Sequence, residues 1–201
     1  MNRRTAEQSR RSDELRKSAP PSAQRPALKI SKADAAKRQI ETAVRLWFFS
    51  GDPVSIHTLT AAAHQVLHDV GRSRGAPTIL RDLPGARPDY VKRLRTLVSR
   101  YENFFKHANS DPGAVLDFNP EATEIFMLDA VLTYEGLTRE AAPILSTFKA
   151  WMFIRQPQLM NEVDREKLVQ KLNQTGINLT QVSKAEFFAQ YLQVLLRLGV
   201  V

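Results

Sequence analysis

Cysteine is absent from this 201-residue chain. Its absence excludes a disulfide framework, a thiolate metal site and a cysteine nucleophile. No apolar run approaches the roughly 18 residues that a membrane-spanning helix requires, so we expect no membrane partner. The N-terminal segment carries arginines but no apolar stretch, which argues against a secretory signal. We therefore expect a cytoplasmic location.

Several catalytic patterns are also missing. The sequence has no Gly-rich phosphate loop and no Gly-x-Ser-x-Gly nucleophile elbow. Its carboxylates between residues 121 and 140 are spread over two predicted helices and are typical of a solvated acidic face. No tight turn joins two short helices of which the second is basic, so the helix-turn-helix pattern of DNA-binding proteins is not indicated.

Helical periodicity dominates the sequence from residue 31 onward. Almost no segment alternates polar and apolar residues with period two, so strands are not expected. We predict an all-α fold, a single helical bundle of about six to seven helices over residues 31–201. Residues 1–30 are rich in Ser, Pro, Arg and Gln. Because such a segment cannot bury enough apolar surface to order itself, we predict a disordered basic arm there.

Capping residues, prolines and glycines predict where the helices begin and end. Ser31 with Asp34 forms a capping box, and the first helix ends before Gly51. Asp52 and Pro53 open the second helix, which stops near Gly71. The expected later helices are 89–107, 120–134, 138–156, 161–173 and 183–198, with a single helical turn at 78–83.

The net charge of +8 is unevenly distributed. Residues 1–30 carry +5, residues 71–107 carry +6, and residues 108–201 carry −3. A basic stretch followed by an acidic half steers polyanions to one surface, which makes RNA the expected partner. The alternative interpretation is that the arginines are scattered over the surface and only keep the domain soluble. The predicted nucleic-acid-binding residues are Arg72, Arg74, Arg81, Arg87 and Arg93.

Polar residues recur every seven positions along the third predicted helix. Arg93, Arg100 and His107 form one stripe, because seven residues are nearly two full turns and each step drifts by only about 20°. Asn103 lies beside this stripe, within about 60° of Arg100. The stripe borders the apolar face of the helix, so its side chains are expected at the edge of a groove or at a subunit interface.

Arginine and histidine together can cleave an RNA phosphodiester. Neutral histidine can take a proton from a ribose 2′-hydroxyl, and imidazolium can return one to the leaving 5′-oxygen. Arginine holds the phosphate and stabilises the charge that develops in the transition state. This chemistry requires no metal and no other cofactor. We therefore predict Arg100, His107 and Asn103 as catalytic residues.

The segment Arg100-Tyr-Glu-Asn103-Phe-Phe-Lys-His107 resembles the motif of the HEPN superfamily, an arginine followed four to six residues later by a histidine. Members are small helical bundles, often dimers, and many are metal-independent ribonucleases. The resemblance implies a homodimer in which the second subunit's Arg100 and His107 complete the active centre. The resemblance covers one helix, and the spacing between Arg100 and His107 is at the long limit of the family's motif. Tyr101 replaces the polar residue usual after the arginine, a role that Asn103 is expected to take.

A second resemblance concerns two short segments. Phe104-Phe-Lys-His-Ala, with Asp52-Pro-Val-Ser-Ile-His57 upstream, is similar to an uncharacterised bacterial protein family, which implies no function. Alternative interpretations of the stripe therefore stay open. Arg100 could pair with Glu102 or Asp89, while His107 interacts with the helix dipole at a C-terminus. The chain would then be a non-enzymatic helical interaction or scaffold protein.

Three of the four histidines lie on the second predicted helix. His57, His64 and His68 fall within about 40° of one another around the helix axis. Two histidines four residues apart can share a metal ion such as zinc, and a third could join them. The stripe points away from Leu59, Ala63 and Val66, so exposure to solvent is an alternative, and we predict no metal. A further alternative places His57 or His64 in one cleft with the third helix's stripe.

Overall fold

A computed structural model describes residues 27–75, 88–175 and 182–199, apart from some side chains in the third and sixth helices. Every regular element in these ranges is helical, which confirms the all-α prediction. No described helix is both long and apolar enough to cross a membrane. The predicted turn at 78–83, Arg81, Arg87 and nearly all of the predicted arm lie outside the described residues.

The described helices are α1 (Lys32–Phe48), α2 (Pro53–Ser73), α3 (Pro88–Lys106), α4 (Glu121–Thr138), α5 (Pro143–Arg155), a short 3₁₀ helix (Pro157–Leu159), α6 (Glu162–Thr175) and α7 (Lys184–Arg197).

Local side-chain caps set the starts of three helices. At α1, the Asp34 N–H donates to Ser31 Oγ over 3.1 Å and the Ser31 N–H donates back to the Asp34 carboxylate over 3.2 Å. At α2, the Ser55 N–H donates to the Asp52 carboxylate over 2.7 Å. At α7, Ser183 begins a second capping box with Glu186. Each cap satisfies N–H groups that have no partner within the helix, as the sequence predicted.

Two helix ends differ from prediction. Helix α2 continues past Gly71 to Ser73, and α4 continues past Tyr134 to Thr138. The prediction that the fifth helix begins at Thr138 was wrong, because Arg139 adopts a left-handed conformation (φ 59°) that ends α4 there. Helix α5 instead begins at Pro143, whose missing N–H costs nothing at the first helical position.

The main core lies between α1, α2, α4, α5 and α7. Trp47 and Phe48 are buried in it, and Trp47 meets Phe148 edge to face with ring centroids 5.1 Å apart. Their neighbour Phe49 is 60% exposed because it follows the last residue of α1. Trp151, Phe187 and Phe188 complete this aromatic cluster.

Helix α3 packs outside this core, against α2 and α4. Val98 of α3 is buried with Ala61 and Phe126 in a small cluster separate from the main core. The predicted apolar face is only partly buried: Leu97, Phe104 and Phe105 are half-buried, Ala108 is exposed beyond the helix end, and the side chains of Val91 and Leu94 lie outside the description. Because only one side of α3 is covered, its polar stripe faces outward.

Candidate functional site

The three predicted catalytic residues line one depression at the C-terminal end of α3. Arg100, Asn103 and His107 are all exposed, and the depression has a volume of about 540 Å³. Phe104 contributes a half-buried ring between them. Spacing by sevens therefore brought Arg100 and His107 to the same surface, with their backbone positions about 10 Å apart along the helix axis at 1.5 Å per residue.

The opposite wall of the depression comes from the segment that follows α3. Its lining residues are Asn109, Ser110, Asp111, Ala114, Val115 and Leu116. The sequence showed a turn here but did not identify it as part of the site. Its position directly after α3 could have identified this segment as part of the site, because a chain that turns directly after a helix must pass beside the last residues of that helix.

Aromatic side chains hold this segment against α3. The Phe118 ring meets Tyr101 and Phe105 edge to face, with ring centroids 4.8 and 5.1 Å apart. The Asn119 N–H also donates a hydrogen bond of 3.2 Å to the Tyr101 hydroxyl. Edge-to-face aromatic pairs contribute about 0.5–1.5 kcal/mol each beyond the area they bury. The far end of the wall is thus anchored to the same helix that carries Arg100.

The side chains of Arg100 and His107 are not committed to structural ion pairs in the described part of the chain. The alternative interpretation that Arg100 pairs with Glu102 was wrong. Glu102 instead accepts a hydrogen bond of 2.5 Å from Lys106, one helical turn away. Arg100 forms no ion pair with Asp89 either, although both line a neighbouring depression. His107 follows the last residue of α3 and donates its backbone N–H to the Asn103 carbonyl over 3.0 Å.

Further depressions extend the site along α3. A second one, of about 480 Å³, is lined by Arg93, Arg100, Lys92 and Asp89, so it shares Arg100 with the first. A third one shares Arg93 and reaches Glu121 and Glu124 at the start of α4. The exposed side of α3 therefore presents a basic track that begins at Lys92 and ends at His107. We call this surface the α3 track.

Two of the other predicted RNA-binding arginines, Arg72 and Arg74, do not join this track. Arg72 and Arg74 are exposed at the C-terminal end of α2. Arg74 donates to the Leu137 carbonyl over 3.5 Å, which directs it towards the end of α4. Of the three predicted arginines that lie in the described ranges, Arg93 is the one that lines a depression together with Arg100.

His57 faces α3, as one alternative had it, but it is fully buried, so it neither faces solvent nor joins Arg100 and His107 in a cleft. Its Nδ1 lies 2.9 Å from Thr123 Oγ1, and its ring meets Tyr101, Phe105 and Phe118 edge to face. Burial lowers the pKa of His57, while the nearby Val98 carbonyl opposes that shift. Its Nε2 makes no hydrogen bond of ordinary geometry. His57 therefore supports the inner side of α3 as a neutral ring.

The other two histidines of α2 have separate partners. His64 Nε2 lies 2.6 Å from an oxygen of Asp129, a side chain that is only 1% exposed. His68 lies 3.6 Å from Asp69 on its own helix. Over the described ranges, no three His, Asp or Glu side chains converge as a metal site requires. Sequence reasoning missed the pairing of Asp129. The one signal for it is that this carboxylate lies in the apolar run 125–132, and a charged side chain is almost never buried without a partner.

Comparisons with models of known protein families, with curated proteins and with solved structures found no match to this chain. Functional inference therefore depends on the α3 track and on the chemistry of its side chains.

Proposed function

We propose that this protein binds RNA along the α3 track and cleaves it without a metal, as a relative of the HEPN superfamily. The observation that supports this most directly is that Arg100, Asn103 and His107 line one open depression at the end of a basic helix. Arg93 and Lys92 extend the positive charge along the same surface. A polyanion bound there would place a phosphate beside both a permanent cation and an imidazole.

The proposed reaction is an internal transesterification. Neutral His107 removes the proton from a ribose 2′-hydroxyl, whose oxygen attacks the adjacent phosphorus while the bond from phosphorus to the 5′-oxygen breaks. The leaving 5′-oxygen takes up a proton, so the products end in a 2′,3′-cyclic phosphate and a 5′-hydroxyl. Arg100 holds the phosphate oxygens as negative charge builds up on them. The Asn103 amide orients the phosphate or the imidazole.

A homodimer completes this proposal. Proton removal and proton return call for two groups, and the depression contains a single histidine of this chain. A second copy, placed with its own α3 end against the first, would supply the second imidazole. Light scattering during gel filtration is expected to give the mass of two chains, about 45 kDa from a chain mass of 22.7 kDa.

The test is cleavage of single-stranded RNA in EDTA. We expect the wild-type protein to release fragments with cyclic phosphate ends. His107→Ala is expected to lower the rate at least 100-fold, because general acid–base catalysis contributes about 10²–10⁴-fold. Arg100→Ala is expected to have a similar effect through lost transition-state stabilisation.

Matched controls separate chemistry from folding. His68→Ala and Arg45→Ala remove an exposed or half-exposed residue of the same type from helices outside the depression, and both are expected to cut normally. Circular dichroism should show the same helical content in all four variants. Cleavage by His107→Ala at the wild-type rate would remove the catalytic claim.

Binding without catalysis is the second candidate function. One observation favours it: no described side chain hydrogen bonds to the His107 ring, so nothing in this part of the chain fixes the tautomer that a general base requires. A scaffold of this kind would bind RNA or an acidic protein through the α3 track, with an affinity that falls steeply with salt. The cleavage assay distinguishes the two, since a scaffold yields no product.

A further inference from the structure

The depression contains groups that the proposed cleavage does not use. Phe104, which is half-buried, lines it together with Arg100 and His107, and Asp111 lines it from the segment that follows α3. A carboxylate is unexpected next to a phosphate site, because phosphate oxygens and carboxylate oxygens are both acceptors and repel each other. Asp111 must therefore face something other than the RNA backbone phosphates when RNA is bound.

We propose that this depression selects a guanine base, which stacks on Phe104 and donates two hydrogen bonds to Asp111. The inference rests on the proposed RNA binding and specifies its sequence preference. Bases of single-stranded RNA are commonly stacked on aromatic side chains and recognised by hydrogen bonds to their Watson–Crick edges. Phe104 supplies the stacking surface on α3, and Asp111 supplies the hydrogen-bond acceptor across from it.

Guanine follows from the chemistry of a carboxylate, which only accepts hydrogen bonds when ionised. The Watson–Crick edge of guanine carries two adjacent donors, N1–H and the N2 amino group, which match the two carboxylate oxygens. Adenine and cytosine each present one amino donor beside a ring nitrogen that repels the carboxylate. Uracil presents one N–H between two carbonyl acceptors. Guanine is thus the only one of the four bases that can use both oxygens.

The local structure leaves the Asp111 side chain available for this role. Its backbone carbonyl accepts from the Ala114 N–H over 3.0 Å, which holds the turn. The side chain is exposed and makes no hydrogen bond to another described residue. Ser110 and Asn109, which line the same wall, offer further polar atoms to the rest of the base or to its ribose.

The experiment measures binding of fluorescent oligouridines that carry a single central G, A or C, with all-U as the fourth probe. The His107→Ala protein is used so that the probes stay intact. We expect the G probe to bind about tenfold more tightly than the others, in line with the discrimination of a bidentate base contact. Asp111→Asn is expected to reduce this preference to less than about threefold, since an amide offers one acceptor oxygen.

Asp117→Asn is the matched control, because Asp117 is an exposed carboxylate of the same segment that does not line the depression. It is expected to retain the guanine preference. Phe104→Leu keeps the apolar bulk, and loss of stacking should weaken all four probes by about tenfold.

Equal affinity for the four probes would overturn the inference. A guanine preference that survives Asp111→Asn would overturn it as well. Failure of the protein to bind any of the probes would instead contradict the proposed function itself, so the two failures are distinguishable.

Discussion

His57 is the polar side chain on which the inner face of α3 packs. It is fully buried, touches rings of α3 and of the segment before α4, and pairs with Thr123 of α4. Because burial penalises the imidazolium, the pKa of His57 is lowered from its ordinary value of 6.5. Of the nearby charged groups, Glu102 favours the protonated ring and Lys106 disfavours it.

This shift predicts that stability falls on mild acidification. The unfolded chain takes up a proton at His57 as the pH drops through its ordinary pKa of 6.5, while the folded chain does not. Stability from this group is therefore complete above pH 6.5 and decreases as the pH falls below it. The loss is at most about 1.4 kcal/mol per pH unit for one proton. Urea unfolding between pH 7.5 and pH 5 measures it.

The double variant His57→Phe with Thr123→Val is the control, because removing both polar partners together leaves no unpaired group. Its free energy of unfolding should depend less on pH over the same interval, since the other histidines are present in both proteins. An identical pH slope in the two proteins would show that His57 does not contribute.

At the scale of elements, α2 and α4 are joined by a polar contact at the edge of the core. His64 is 17% exposed and Asp129 is 1% exposed, and the second oxygen of Asp129 has no hydrogen-bond partner among the described residues. The pair therefore joins the two helices through one carboxylate oxygen, and it is flanked by the Phe126 ring, whose centroid lies 4.2 Å from that of His64. Removing the His64 side chain would leave the buried Asp129 carboxylate without this partner.

We expect His64→Ala to destabilise the protein by about 3 kcal/mol, because an unpaired buried carboxylate is costly. The double variant His64→Leu with Asp129→Leu should lose much less stability, since apolar side chains need no partner there. Glu102→Ala breaks an exposed pair within α3 and should cost less than about 1 kcal/mol. Chemical denaturation of the three variants checks this, and equal losses for the single and double variants would contradict it.

At the scale of the whole molecule, positive charge is concentrated on one helix. The α3 track carries Lys92, Arg93 and Arg100, while residues 108–201 together carry −3. An RNA strand should therefore be attracted to the side of α3. Such binding releases counterions from the RNA, so its affinity depends on salt.

Arg93→Ala tests this distribution. For single strands, each neutralised phosphate changes the slope of log affinity against log salt by about 0.7. We expect Arg93→Ala to reduce the magnitude of the slope by about that amount in fluorescence titrations, because Arg93 lies beside Arg100. Arg45→Ala, an exposed arginine of α1, should leave the slope unchanged. Equal slopes in all three proteins would place the bound RNA elsewhere.

The sequence by itself determined most of the helices and the composition of the stripe on α3. Caps such as Ser31 with Asp34, and prolines such as Pro53, act over three or four residues, so their effect can be predicted from neighbouring residues. The spacing of Arg100 and His107 likewise needs only the helical repeat. The helix start predicted at Thr138 was wrong because the Thr138 hydroxyl donates to the Tyr134 carbonyl over 2.8 Å instead of capping a new helix.

Tertiary structure alone decided which polar side chains face the core. His57 and His64 lie on one helix and look alike in sequence, yet one is enclosed by aromatic rings and the other pairs with Asp129. Burial depends on what packs against a residue, and these partners are more than 40 positions away in the chain. For the same reason, only the folded chain could show that Asp111 lines one depression with Phe104 and Arg100.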